Sequence, residues 1–206
     1  MIGNNAREGF RRVADADLLN TIHNYYGDAA PKALKIYGVA IDGSIEFEPD
    51  PVLGTAAAQW STDTSLRCGA VITAAQHAAN GNPVYSYQFE QSIPGRESNG
   101  AAHSFELPYV FGQFPDDGIL GAPYTSKDRA LSELMISYWT NFAKHGDPNG
   151  PGIPAWPRFT NDARSYLQFA TVFDANAKAN QGLRRDACQI FEEIIVAQRG
   201  DLEDNH

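Results

Sequence analysis

Apolar residues recur along much of the chain at helical spacing, with turn residues between the runs. The clearest run is 126–144, where six large apolar side chains share one face and Gly146 follows the end, a pattern typical of an amphipathic helix. The same spacing predicts helices over 15–26, 31–37 and 182–199. Most of the chain is therefore predicted to be helical.

Residues 52–79 are predicted to form two further helices with a break between them. The break is placed at 61–65, where several side-chain oxygens are available to cap a new helix. The same reasoning assigns the N-cap of helix 15–26 to Asp15 or Asp17.

Alternation typical of strands is confined to short runs. Residues 84–89 alternate aromatic and polar side chains of high β-propensity. Residues 165–169 form a second short strand by the same reasoning, and residues 2–5 are typical of the end of a buried strand that enters a turn. The pattern alone therefore predicts many helices and a few short strands.

The composition is that of one globular domain of 206 residues, with 43% hydrophobic and 20% charged residues. A net charge of −9 argues against a nucleic-acid partner and against adsorption to an anionic membrane. The sequence contains no run of about 18 apolar residues that would indicate a membrane span. It also contains no phosphate loop or dinucleotide fingerprint, so we expect no cofactor.

Cys68 and Cys188 are the only cysteines, and they lack the spacing of metal ligands or of a redox motif. From spacing alone they could be two free buried thiols.

The candidate for acid–base chemistry is His103, in the segment 99–112 with the sequence NGAAHSFELPYVFG. The small residues at 100–102 allow a loop to approach neighbouring backbone closely. The apolar residues expected to anchor this loop in the core are Phe105, Leu107, Tyr109, Val110 and Phe111. A histidine held in this way can be oriented for proton transfer, although a lone histidine among aromatics is more often only a packed side chain.

The segment GAAHSFELPYVFG resembles the histidine motif of the type B carboxylesterases, the cholinesterase-like branch of the α/β-hydrolases. The resemblance continues in ELMISYWTNFAKHGDPN (133–149), PAWPRFT (154–160) and SYLQF (165–169), in the order of that family's late helix, proline-rich loop and closing strand. It implies that His103 is a catalytic base. One departure is Ser104, where many members carry glycine.

The first residues add a second match. Gly3, Asn5, Glu8 and Gly9 are similar to the family's G-x-N-x-x-E-G sequence, whose glutamate orients the catalytic histidine. The resemblance therefore implies that Glu8 is the acid of a Ser-Glu-His triad, whereas without it Glu8 would be taken for a solvated loop residue.

The nucleophile of such a triad lies in a G-x-S-x-G elbow, and this sequence contains none. The resemblance implies that residues 1–206 are the C-terminal part of a carboxylesterase domain, with an incomplete α/β-hydrolase fold and with the elbow in an absent N-terminal part. An incomplete sheet predicts that the chain associates with itself or with that missing part.

The resemblance also bears on the cysteines. TDTSLRC (62–68) and RRDAC (184–188) are similar to the two halves of a disulfide found in secreted members of the family. A Cys68–Cys188 bridge is thereby implied, and it would favour a secreted or periplasmic location.

Two functions remain open at this point. The chain is either the part of a carboxylic ester hydrolase that carries the base and the acid, acting on small-molecule esters when complete, or a non-catalytic, esterase-like binding or adhesion module.

Overall fold

The computed structural model describes residues 1–9, 11–118 and 121–203. In these ranges the α-helices are α1 (Leu18–Tyr26), α2 (Ala30–Tyr37), α3 (Ala56–Thr62), α4 (Cys68–Ala79), α5 (Leu107–Phe111), α6 (Ser126–His145) and α7 (Arg185–Glu203). The strands are β1 (Ile2–Asn5), β2 (Ser86–Phe89), β3 (Tyr166–Phe169) and β4 (Ala177–Asn180).

The strands form one sheet in the order β1-β2-β3-β4. β1, β2 and β3 are parallel, with Asn5 opposite Phe89 and Phe89 opposite Phe169, whereas β4 runs antiparallel to β3. Because β1 and β2 are parallel neighbours, the segments that follow them emerge at the same edge of the sheet. Glu8 follows β1 and the histidine loop follows β2, so the topology brings these two segments together.

Helices cover both faces of this sheet. On one face, aromatic residues of β2 and β3 pack with Tyr138 of α6 and with Trp156. On the other face, Ile2 of β1 packs in a cluster with residues of α4 and α7. Coverage of both faces is what a parallel sheet requires, and this arrangement confirms the predicted α/β class, mostly helical with few strands.

The long amphipathic helix was predicted almost to the residue. α6 begins after Thr125, whose side chain forms a capping box with Asp128, and it ends at His145, followed by the C-cap residue Gly146 with a φ of +70°. The left-handed conformation at the end favours glycine because a side chain would be strained there.

Two helices interrupted near 61–65 were predicted, and α3 does end at Thr62 while α4 begins at Cys68, but the interruption is not a capped break. The helical path continues from α3 into α4 through a π-helical segment, Asp63–Arg67. The side chain of Asp63 caps no helix, because it is buried and accepts hydrogen bonds from Arg67 and Arg184. The hydroxyl of Thr64, one of the side-chain oxygens available in this stretch, donates to the carbonyl of Trp60.

Asp17, one of the two residues predicted as N-cap of the first helix, occupies that position, but it makes no side-chain capping hydrogen bond. A 3₁₀ turn, Asp15–Asp17, precedes α1, and neither aspartate caps that helix with its side chain. Asp15 instead accepts a hydrogen bond from the main-chain N–H of Ala57, in the first turn of α3. Asp15 thus satisfies a main-chain donor at the N-terminus of α3, 42 positions away in sequence.

Two smaller differences concern the last quarter of the chain. The helix predicted over 182–199 begins at Arg185 and continues to Glu203. β4 was not predicted, because its sequence AKAN contains no β-branched or aromatic residue.

Cys68, the first residue of α4, is joined by a disulfide to Cys188 in the first turn of α7, and both residues are buried. The bridge links two helices on the same face of the sheet.

Candidate functional site

Glu8 and His103 lie in contact although 95 positions separate them in sequence. The Oε2 atom of Glu8 is 2.8 Å from the Nδ1 atom of His103. The carboxylate side chain is only 4% exposed, whereas the imidazole side chain is 52% exposed. The arrangement therefore pairs a buried acceptor with a half-exposed imidazole.

The segment that carries Glu8 is held from several sides. The main-chain N–H of Asn5 donates to the Oε1 atom of Glu8 at 2.7 Å, so each carboxylate oxygen has a donor. The main-chain N–H of Glu8 donates to the hydroxyl of Thr62 at 3.1 Å. Arg67, on the π-helical segment, donates to the carbonyl of Ala6 at 2.7 Å. The acid is therefore fixed in orientation by groups of the helical layer.

The histidine loop runs beside this segment at close range. The main-chain N–H of Arg7 donates to the carbonyl of Ala101 at 2.9 Å, and Arg7 forms an isolated parallel bridge with Ala102. A Cβ atom at Gly100 would lie 2.7 Å from the side chain of Arg7, and Gly100 has a φ of +61°. Only a small residue fits here, as expected from the sequence.

The far end of the loop is anchored by Tyr109 of α5. Tyr109 is fully buried, and its hydroxyl donates to Asp128 of α6 at 2.7 Å. The hydroxyl of Ser132, also on α6, donates to the carbonyl of Tyr109 at 2.7 Å. The loop is therefore attached to the helix that covers one face of the sheet.

Two of the five residues predicted to anchor the loop do not do so. Leu107 is 44% exposed and Phe111 is 67% exposed. They lie four positions apart on α5 and therefore share one face of it, and that face is not the one that buries Tyr109. Phe105 and Val110 are half-buried against the core.

Ser104, immediately after His103, has a φ of +67°. This left-handed conformation is unfavourable for a residue that carries a Cβ atom and natural for glycine. The position is the one at which the sequence departs from its family resemblance.

Burial, together with the negative charges of Glu106 and Glu8, raises the pKa of Tyr87 to about 12. Two carboxylates thus act on one phenol at the carboxyl end of β2.

Sequence reasoning did not assign a role to Glu106 or to Arg7, although Asn5 was part of the recognised motif. The contacts of Arg7 go to main-chain carbonyls, which leave no signal in the sequence.

This arrangement is suited to general acid–base chemistry. A carboxylate that accepts a hydrogen bond from Nδ1–H leaves Nε2 as the proton acceptor, and it stabilises the imidazolium that forms when Nε2 takes a proton. Nucleophilic attack also requires a Ser, Cys or Thr activated by that Nε2.

Metal chemistry has no support in the described part of the chain, where no three His, Cys, Asp or Glu side chains are grouped as metal ligands. Among the helices described, none is both long enough and apolar enough to cross a membrane.

Sequence comparison gives the chain its relatives. The chain is 29% identical over 191 residues to the medium-chain fatty acyl-CoA hydrolase precursor of Anas platyrhynchos. The aligned segment covers 90% of this chain and 30% of that protein. The chain is 41% identical over 96 residues to carboxylesterase 4A of Bos taurus, covering 45% of this chain and 16% of the relative. Acylcarnitine hydrolase of Rattus norvegicus is 39% identical over 131 residues, 59% of this chain and 23% of that protein.

The chain therefore spans less than a third of the length of these curated relatives. The sequence model of the Carboxylesterase family matches residues 15–191. The match includes His103, Cys68 and Cys188, whereas Glu8 lies before its first residue. The four-stranded sheet and its helices are part of an α/β-hydrolase fold, and the chain belongs to the carboxylesterase family.

Proposed function

We propose that this chain supplies the base and the acid of a Ser-Glu-His triad in a carboxylic ester hydrolase. His103 is the base, Glu8 is the acid, and the nucleophilic serine belongs to a part of the protein outside these 206 residues. The observation that carries the proposal is the 2.8 Å contact between the Nδ1 atom of His103 and the buried carboxylate of Glu8.

In the proposed reaction the serine hydroxyl attacks the ester carbonyl while Nε2 of His103 removes its proton. The imidazolium then donates that proton to the departing alcohol, which leaves an acyl-enzyme. Water attacks the acyl-enzyme by the same two transfers and releases the carboxylic acid. Glu8 remains ionised throughout, and it holds the ring in one tautomer and stabilises its charged form.

The test is complementation with an N-terminal segment of a carboxylesterase that contains the G-x-S-x-G elbow, joined to or co-folded with this chain. We expect hydrolysis of 4-nitrophenyl acetate to appear with the complete triad. His103→Ala should then lower kcat by about 10³-fold or more, and Glu8→Gln should lower it by a smaller but still large factor. Both losses are expected in kcat because His103 transfers the proton and Glu8 stabilises the imidazolium that this transfer forms.

The matched control is His145→Ala, which removes an exposed histidine at the end of α6, and it should leave turnover unchanged. Turnover that survives His103→Ala would contradict the proposal. A folded, complemented protein that binds esters without hydrolysing them would favour the non-catalytic binding module.

A further inference from the structure

We propose that Asn5 and Arg7, two residues of the segment that leads to Glu8, are positioning residues that hold the histidine loop in register with the acid. The proposal rests on the proposed function, because it concerns how the Glu8–His103 pair is maintained. It adds two side chains that neither accept nor donate the transferred proton.

Asn5 joins the acid to both sides of His103. Its main-chain N–H donates to the Oε1 atom of Glu8 at 2.7 Å. Its side-chain Nδ2 donates to the carbonyl of Ala102, which precedes His103, at 2.7 Å, and to the Oε2 atom of Glu106, which follows it, at 2.5 Å. Both hydrogens of the amide are used, and Asn5 is only 2% exposed.

The charges at this point explain why an amide is suitable. Glu8 and Glu106 both raise the pKa of Tyr87, so two negative charges lie close to one hydroxyl. The side-chain amide of Asn5 donates to Glu106, whereas its main-chain N–H donates to Glu8, and donation to a carboxylate is stronger than donation to a neutral acceptor. An aspartate at position 5 would lack the donor and would add a third negative charge.

Arg7 holds the other end of the loop. Its Nη1 donates to the carbonyl of Ser98 at 3.2 Å, on the approach to His103. Its Nε and Nη2 donate to the carbonyls of Val52 and Pro51 at 2.9 and 2.8 Å. A planar guanidinium has enough fixed donors to bridge two loops at once, which a lysine ammonium cannot reproduce.

The two residues therefore act at opposite ends of one loop. Asn5 fixes residues 102 and 106, and Arg7 fixes residue 98 and, through its main chain, residue 101. His103 lies between these attachments. Its approach to Glu8 is then set by segment 5–8 itself, so the acid and the base move together.

The experiment measures the Glu8–His103 hydrogen bond directly in the chain, by NMR with ¹⁵N-labelled histidine at mildly alkaline pH. His103→Ala assigns the signal among the five histidines. We expect a slowly exchanging Nδ1–H proton for His103 in the wild-type chain and its loss in Glu8→Gln. In Asn5→Ala and in Arg7→Lys its exchange with water should accelerate at least tenfold.

Asn4→Ala is the matched control for Asn5→Ala. Asn4 is the preceding residue and is also buried, but its side chain donates to the carbonyl of Asn5 and not to the histidine loop. It should lower the melting temperature while the exchange of the His103 proton stays at the wild-type rate. Arg11→Lys is the control for Arg7→Lys, because the Arg11 guanidinium lies over Tyr25 and Trp60.

The outcomes separate the two proposals. The positioning role would be overturned if the His103 proton exchanged at the wild-type rate in both Asn5→Ala and Arg7→Lys while its signal was lost in Glu8→Gln. That result would leave the proposed function standing. An unchanged proton in Glu8→Gln would overturn the pairing on which the proposed function rests. If Asn5→Ala does not fold, Arg7→Lys decides, because that side chain is only half-buried.

Discussion

Ser104 carries a local strain beside the proposed base. Its φ of +67° lies in the left-handed region, which costs a residue with a Cβ atom roughly 1–2 kcal/mol relative to the right-handed conformation. Glycine has no such penalty but loses more backbone entropy on folding, by roughly 0.5–1 kcal/mol. The strain energy that serine carries here is larger than the entropy that glycine would lose, so the conformation favours glycine at this position.

We therefore expect Ser104→Gly to raise the free energy of unfolding by about 0.5–1 kcal/mol, measured from urea midpoints at constant slope. Ser104→Ala is the control, because it removes the hydroxyl and keeps the Cβ atom. An equal gain in both variants would show that the hydroxyl, and not the backbone conformation, is responsible.

Glu90 is a second residue whose environment predicts a measurable effect. Burial raises the pKa of its carboxyl, while hydrogen bonds from Gln88 and Gln168 partly oppose that rise. The folded chain then holds a proton that the unfolded chain has lost, in the window between the ordinary value of about 4.3 and the raised pKa. Within that window the free energy of unfolding falls as pH increases.

Glu90→Gln should remove this fall, because glutamine is neutral and its oxygen can still accept the two hydrogen bonds. We expect the melting temperature of the variant relative to wild type to be higher at pH 7 than at pH 4. Glu48→Gln, at an exposed position, should show no such change. The same difference at both pH values would contradict the role given to burial.

At the scale of elements, the sequence predicted what local signals determine. α6 was placed within one residue at its end because its apolar face, its capping residues and Gly146 all lie within or next to it. The π-helical segment was missed because its stability depends on distant groups. Asp63 is paired with Arg184, 121 positions away, and Arg67 reaches Ala6, 61 positions away.

The candidate site divides in the same way. The motif residues Glu8 and His103 were found from their sequence surroundings, and the structure brings them together. The side chain of Arg7 acts through main-chain carbonyls of four loop positions, to which any residue type could contribute. Such contacts depend on the path of the backbone, so a single sequence does not reveal them.

The disulfide connects these elements to the acid. Cys68 follows Arg67 directly, and Arg67 donates to the carbonyl of Ala6 just after β1. The two bridged cysteines are 120 positions apart. In the chain-entropy model, closing a loop of about that length stabilises a fold by about 4–5 kcal/mol. The bridge therefore contributes to the layer that supports Glu8.

We expect Cys68→Ala/Cys188→Ala to lower the free energy of unfolding by about 4–5 kcal/mol. A reductant should destabilise the wild-type chain and leave the double variant unchanged. Mass spectrometry of a non-reduced digest should find the two cysteine peptides linked. Two thiols open to alkylation in native, oxidised protein would show that the bridge does not form.

At the scale of the whole molecule, two exposed surfaces favour association. Among the described strands, β1 lies at one end of the sheet order and pairs only with β2, so its outer edge presents main-chain donors and acceptors. Near the histidine loop, Leu107 and Phe111 of α5 are exposed, and Ile136 of α6, also exposed, lies beside Gly112 at the end of α5. The aligned segments cover only 30%, 16% and 23% of the three curated relatives.

These features predict that the chain on its own associates with itself. Burial of apolar surface and pairing of a strand edge both favour association, and a net charge of −9 opposes it. We expect light scattering to show oligomers whose fraction grows with salt, together with binding of a hydrophobic dye. Phe111→Ser should reduce both signals, whereas Ile41→Ser, at an 89% exposed position on a separate loop, should reduce neither. A compact monomer at high salt that binds no dye would contradict the prediction, and it would show that these 206 residues fold as a self-sufficient unit.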